Sequence, residues 1–163
     1  MTTFSVKEVK RFETYLGLPT MVGRAKYKSF TYLKDKVWRK LQGWKGKLLS
    51  RAGKEILIKA VAQSIPTYTM GVFLLPVKLC DELNQMFARF WWGQAEIERK
   101  IHGKNWGLLS QSKRKGGMGF RDLRAFNLAM LAKQGWRMMQ NKNSPIYQCF
   151  KQRYFTVQFF GGK

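Results

Sequence analysis

Carboxylates are scarce in this chain: nine Asp and Glu stand against 31 Lys and Arg in 163 residues. Two-metal phosphoryl transfer needs clustered carboxylates to hold its ions a few ångströms apart, and neither Asp-Asp nor Asp-x-Asp occurs. Asp81 and Glu82 are adjacent but take different azimuths on a helix, so a capping role near a helix start is expected of them. Glu96 and Glu98, two apart, are as poorly placed. His102 is the only histidine, so any Ser-His-Asp or Cys-His arrangement would have to use it. With no supporting signature, a satisfied or exposed imidazole is expected there. Cys80 and Cys149 match no metal spacing and read as two ordinary buried thiols in a reducing compartment. Lys59, Gln63 and Pro66 interrupt the longest apolar runs, so none reaches the ~20 residues of a membrane span. Met1 to Arg11 has no apolar signal region and no Arg/Ser-rich transit pattern, so an intracellular, non-secreted protein is expected, with nucleus and organelle both open. No independent catalysis, metal, cofactor or membrane partner is expected, and no repeat or low-complexity segment occurs.

Positive charge, by contrast, is abundant. The formal net charge is +22, and such self-repulsion usually has a polyanionic partner. It is also uneven. Arg24 to Lys59 holds twelve basic residues against Asp35 and Glu55, and Arg99 to Arg124 holds eight against Asp122. Between them, Ala60 to Glu98 carries only Lys78 and Arg89 against four acids. Two basic blocks flanking a neutral core predict a binding face. Apolar residues at 45% and aromatics at 15% are ample for a buried core.

The predicted fold is mainly α: a helical bundle with a short N-terminal strand and a second small helical unit after a Gly-rich loop. Three segments are expected, at 1–23, 24–93 and 94–163. Val6 to Thr20 suggests a strand leaving into a loop at Gly17 to Pro19. Arg24 to Trp44 is helical, with Tyr27, Phe30, Leu33, Val37, Trp38 and Leu41 inside an arc of about 140°. Lys34 falls within that arc and must snorkel past the core edge. Gly43 and Gly46 end this helix. The organising stretch is Leu49 to Leu75. Ser50 is its expected N-cap, Pro66 kinks or stops it, and its apolar residues cover nearly the whole circumference, predicting a rod surrounded on all sides. Pro76 opens a third helix, with Leu79, Leu83, Met86, Phe87, Phe90 and Trp91 on one face and Gly93 as C-cap. Glu96 to Gln111 is undecided between strand and short helix. Asp122 caps a helix to about Met139, with Leu123, Phe126, Ala129 and Met130 along one side; Pro145 starts a last one, and QFFGGK is a frayed end.

The candidate binding residues follow from the charge. Lys28, Lys36, Arg39 and Lys40 share one face of the first helix, and Lys45, Lys47, Arg51 and Lys54 continue around the turn to the central one. Gly116, Gly117 and Gly119 could bring backbone amides close to phosphate, beside Lys113, Arg114, Lys115 and Arg121. Lys-x-x-Gly-Gly-x-Gly is not a Walker A sequence, so a tight turn before Asp122 and a nucleic-acid phosphate contact both stay open. Trp38, Trp91, Trp106 and Trp136 are taken as core first and as base-stacking platforms second.

Several runs then occur in a recognisable order: Tyr15-Leu16-Gly17-Leu18-Pro19; Trp44-Lys45-Gly46-Lys47-Leu48-Leu49-Ser50 with Ala52-Gly53; and Phe90-Trp91-Trp92-Gly93. Lys113-x-x-Gly116-Gly117-Met118-Gly119-Phe120-Arg121-Asp122-Leu123 and the run from Asn127 to Arg137 complete the set. Over Val9 to Phe155 this order resembles plant non-LTR (LINE-type) retrotransposon reverse transcriptases downstream of the polymerase palm, and short open reading frames derived from them. The resemblance implies that Tyr15, Leu16 and Gly17 belong to the strand gripping the primer end. It likewise implies a helical thumb over Arg24 to Gly93, clamping a template–primer duplex or RNA–DNA hybrid, and a connecting segment over 99–155. Within the family, a catalytic palm with a Tyr/Phe-Ala-Asp-Asp metal site and a Cys/His-rich zinc module accompany these parts; neither pattern occurs here, so a palm would come from a longer gene product. Gly103 stands where the family often has Trp, and Ser112 where Pro is common. A free-standing RNA-binding or organellar RNA-processing factor, and a relic reading frame, are the alternative expectations.

Overall fold

The computed structural model describes residues 14–20, 22–45, 47–93 and 105–154. It is mainly helical, as predicted. The expectations for Val6 to Glu13, Gly46, Glu96, Glu98, His102, Gly103 and the end beyond Tyr154 lie outside the described residues.

Strands β1 (Thr14–Tyr15) and β2 (Leu18–Pro19) pair antiparallel. Leu16 and Gly17 between them have φ of 51° and 75°, the positive pair of a two-residue hairpin turn. The strand-to-loop expectation thus becomes a hairpin. Helix α1 spans Lys26–Trp44 and buries Phe30, Leu33, Val37 and Leu41. Trp38 lies at the edge of that apolar arc and is 38% exposed, which corrects its reading as core. Helix α4 (Val77–Trp92) packs on α1 and buries Leu79, Cys80, Leu83, Met86, Phe87 and Trp91. Gly93, at φ +68°, closes it in the left-handed conformation that favours glycine.

The central stretch is where expectation and structure part. Ser50 does cap, accepting from the Gly53 amide at 3.2 Å. However, α2 (Arg51–Ile56) widens into a π turn at Leu57–Val61, then tightens to a 3₁₀ turn at Ala62–Ser64 before α3 (Thr67–Met70). Nor is it surrounded: Ala52 and Ala60 are exposed, and Ile56 is 64% exposed. Its buried side is built from Ile58, Ala62 and the polar Gln63. The polar residues at i, i+4 and i+8 (Glu55, Lys59 and Gln63) share a face, and that face meets the Gly-rich loop instead of water.

Helix α5 (Trp106–Leu109) and a 3₁₀ turn (Lys113–Lys115) lead into that loop, and α6 (Leu123–Gln140) follows. Asp122 caps α6 through the amides of Arg124 and Ala125. Leu123 and Asn127 are buried on one side, with Phe126 and Met130 half-buried, whereas Ala129 is exposed. Trp136 lies roughly 150° from the buried side at 100° per residue and is 58% exposed, a second correction to the aromatic core. Ser144 accepts from the Tyr147 amide at the start of α7 (Pro145–Tyr154). Cys149 on α7 is exposed, not buried as expected.

One apolar core serves these elements: Phe30, Leu33 and Val37 join Ile58, Met70, Leu79, Phe87, Trp91, Phe120 and Leu123. Trp106 stacks on Phe120 at 4.7 Å, and Trp91 meets Phe120 edge-on at 5.4 Å. The loop's Phe120 therefore plugs an aromatic cluster supplied by α4 and α5, with Met118 half-buried beside the core.

Candidate nucleic-acid interface

Acids are few, and most of the described ones do structural work. Glu82 of α4 accepts from the Tyr27 hydroxyl at 2.7 Å and the Lys34 ammonium at 2.9 Å, both on α1. Lys34 tolerates its place in the apolar arc because this partner waits at the edge. Glu82 is therefore a tether between helices, not the helix cap expected of it; α4 has no side-chain cap. The hydrogen bonds from Tyr27 and Lys34 hold its carboxyl below the usual range. Glu55 accepts from Lys59 at 2.6 Å, and that bond lowers its pKa as well. Asp122 caps α6. Among the described acids, only Asp35 and Asp81 lack such a task, so the basic surface is left uncompensated.

The bend from α1 into α2 and the end of α4 enclose a cleft of about 250 Å³. Lys45, Lys47 and Lys54 line it, together with Arg89 of α4. None of these four makes an ion pair among the described residues. The apolar wall includes Trp38, Trp44 and Phe90. Trp44 and Phe90 pack with ring centroids 5.8 Å apart, and the Lys54 ammonium lies 6.0 Å from the centre of the Phe90 ring. No carboxylate lines the cleft. Arg89 belongs to neither sequence block; its signal was only its position one helical turn before a C-cap glycine.

The second basic block arrives beside the first. The Lys113 ammonium is 4.0 Å from Glu55 Oε1, so the 113–115 turn lies against α2, next to Lys54 in the chain. Arg51, Lys113, Arg114, Lys115 and Arg121 are all exposed. Segments about sixty residues apart in sequence thus meet across α2. Lys28, Lys36, Arg39 and Lys40 are exposed along α1, with Lys36 over the Tyr32 ring at 5.2 Å. The hairpin residues Tyr15, Leu16 and Gly17 are exposed and are not among the cleft's lining.

The glycine loop proves to be a turn whose amides are already engaged. Gly116, Gly117 and Gly119 donate to the carbonyls of Lys113, Ser112 and Gln111 at 3.1, 3.2 and 2.8 Å. Those amides cannot also cradle a phosphate, which corrects that part of the sequence reading; any anion contact falls to the lysine and arginine side chains. Gly117 is required by close approach, since a Cβ there would stand 2.1 Å from the Gln111 carbonyl oxygen. Ser112 has φ of −59°, near the value a proline ring imposes, so a serine in place of a proline there leaves the turn's geometry intact. Two long-range clamps, both missed in the sequence, hold the loop down. Lys59 donates to the Met118 carbonyl at 2.6 Å. Gln63 exchanges two 3.2 Å hydrogen bonds with the backbone of Arg121.

Among the described residues no group of three or more His, Cys, Asp or Glu side chains gathers, and no helix is long and apolar enough to cross a membrane. Burial pushes the Cys80 thiol up to about 11, far from a reactive thiolate.

Comparison with known proteins gives two relatives in Arabidopsis thaliana. Over 127 residues, 78% of the chain, it is 35% identical to a protein named "Putative ribonuclease H protein", of which it covers 20%. Over 93 residues, 56% of the chain, it is 40% identical to one named "Uncharacterized mitochondrial protein", of which it covers 60%. No family model matches the chain, and no solved structure does. The chain is therefore similar to about a fifth of one curated plant protein and three-fifths of another.

Proposed function

We propose that this chain is the thumb and connection part of a retrotransposon-type reverse transcriptase, binding template–primer backbone without base specificity and contributing no catalysis of its own. The observation that carries the reading is the cleft at the α1–α2 bend, lined by four cations and no carboxylate, with the Lys113–Lys115 turn brought against α2 beside it through Glu55. Phosphate contacts of this kind position a duplex without reading its sequence. The ribonuclease in one relative's name is a nucleic-acid activity, which supports the same class of partner, and the ordered motifs supply the reverse-transcriptase part of the reading. A palm would be provided by a longer gene product.

Binding to an RNA–DNA hybrid across a salt series tests this. If six of Lys28, Lys36, Arg39, Lys40, Lys45, Lys47, Arg51 and Lys54 touch phosphate, log K falls against log salt with a slope of about −5. No shift of the hybrid at low salt overturns the proposal. Polymerase and nuclease assays with Mg²⁺ or Mn²⁺ should show no turnover, and turnover abolished by one carboxylate substitution would refute the non-catalytic assignment.

The similarity to a protein named only as mitochondrial, which this chain covers more fully, suggests a second reading as a free-standing organellar factor, for which we propose RNA as the partner of the basic surface. That reading requires a preferred structured RNA, and competition by bulk RNA that erased all preference would exclude it.

A further inference from the structure

The cleft at the α1–α2 bend has features that contacts to a duplex backbone do not use. Trp38 lies on its wall and is 38% exposed, whereas Phe30, Leu33, Val37 and Leu41 of the same helix are buried. Trp44 and Phe90 engage each other, which leaves Trp38 as the aromatic not taken up by a ring partner among the described residues. At about 250 Å³ the space is just below the ~300–1,000 Å³ of sites that enclose drug-sized ligands. A duplex backbone can lie on the lysines at its mouth, but the space behind them admits a single flat ring system and not a double helix.

Four cations with no carboxylate surround this aromatic wall. An apolar occupant would desolvate those charges without a counter-ion, which is unfavourable. An acidic peptide would neutralise them, but it reaches the indole face only where it also carries a stacking side chain, whereas every nucleotide carries a stacking base. A nucleotide meets both demands, because single-strand sites pair a sequence-tolerant π-platform with cations that track phosphate.

We propose that this cleft seats one unpaired base of a single-stranded overhang. Trp38 supplies the stacking face, and Lys45, Lys47, Lys54 and Arg89 hold the flanking phosphates. The proposal rests on the reading of the chain as a binder of nucleic-acid backbone, and adds to it a preference for a duplex end with an overhang over a blunt one.

The test compares a blunt RNA–DNA hybrid with the same hybrid carrying a short overhang that includes 2-aminopurine. The overhang should bind more tightly, and its fluorescence should be quenched on binding by stacking. Trp38→Ala should remove the quenching and cost roughly five- to hundredfold in affinity for the overhang, with little effect on the blunt hybrid. Circular dichroism checks that the variant folds, and quenching in the unaltered protein is a readout that needs no variant. Equal affinity for the two ligands, or a bound overhang left unquenched, overturns the cleft assignment while the backbone-binding reading stands. Failure to bind either ligand overturns both.

Discussion

Asn127 ties three backbone groups together from inside the core. It is 1% exposed yet fully satisfied: its Oδ1 accepts from the Leu75 amide at 2.8 Å, and its Nδ2 donates to the carbonyls of Met70 and Phe73 at 2.8 and 2.9 Å. One side chain on α6 thereby fixes the whole bend between α3 and α4. Removing it strands a buried donor and two acceptors, each costing about 1–3 kcal/mol when left unpaired. Asn127→Ala should lower stability by about 3 kcal/mol or more, a fall in Tm of roughly 6–12 °C for a chain of this size. Thermal unfolding followed by circular dichroism checks it; a change under about 1 kcal/mol would mean that water replaces the side chain and the bend is not held this way. The sequence marked this residue only as the start of a family-like run and gave no sign that it is a buried hydrogen-bonding hub. Its partners lie more than fifty positions away, and an asparagine within a helical pattern looks like an exposed polar position until the partner is seen.

The pairing of α1 with α4 illustrates the same division one level up. Each helix was legible, because period and caps are local: the apolar arc of α1, Ser50, Gly93 and Asp122 all act within one turn. The charged fastening between the two was not, because Lys34 and Glu82 lie on different elements, and only the packing brings them to 2.9 Å. The central rod failed for a related reason. A count of apolar residues treats Ile56 and Ile58 alike, whereas the π turn and the loop packed on Glu55, Lys59 and Gln63 decide which one is covered. The fastening has a pH signature. Glu82 is held below the ordinary carboxylate range by Tyr27 and Lys34, so its contribution is present above about pH 4.3 and is lost as pH falls through the lower folded value. Its bond raises the pKa of both Lys34 and Tyr27, so their contribution is present below their unfolded values and fades as pH rises past the folded ones. Glu82→Gln should therefore be modestly less stable than the parent near pH 7, by a margin that shrinks toward pH 3. Urea titrations of both proteins at the two pH values measure that margin, and a margin independent of pH would show that the carboxylate's charge contributes nothing.

At the scale of the molecule, a net charge of +22 with so few acids free to offset it has two consequences that run in opposite directions with salt. The fold works against its own repulsion, and screening relieves that: the Debye length shortens from about 10 Å at 0.1 M to about 3 Å at 1 M. Binding of a polyanion depends on the same unscreened charge and on counterion release, so salt weakens it steeply. Raising salt should therefore increase the Tm of the free protein by several degrees while dissociating its complex with an RNA–DNA hybrid. At low salt the hybrid should substitute for the missing screening, raising Tm by mass action in proportion to the logarithm of its free concentration over Kd. A Tm series over both salt and hybrid concentration separates the two effects, because added salt must erase the hybrid's increment while raising the baseline beneath it. If the free protein lost stability as salt rose, its cations would have to be engaged in favourable pairs instead of repelling one another. The open surface around Lys45, Lys47, Lys54 and Arg89 would then have no unsatisfied field with which to hold a nucleic acid.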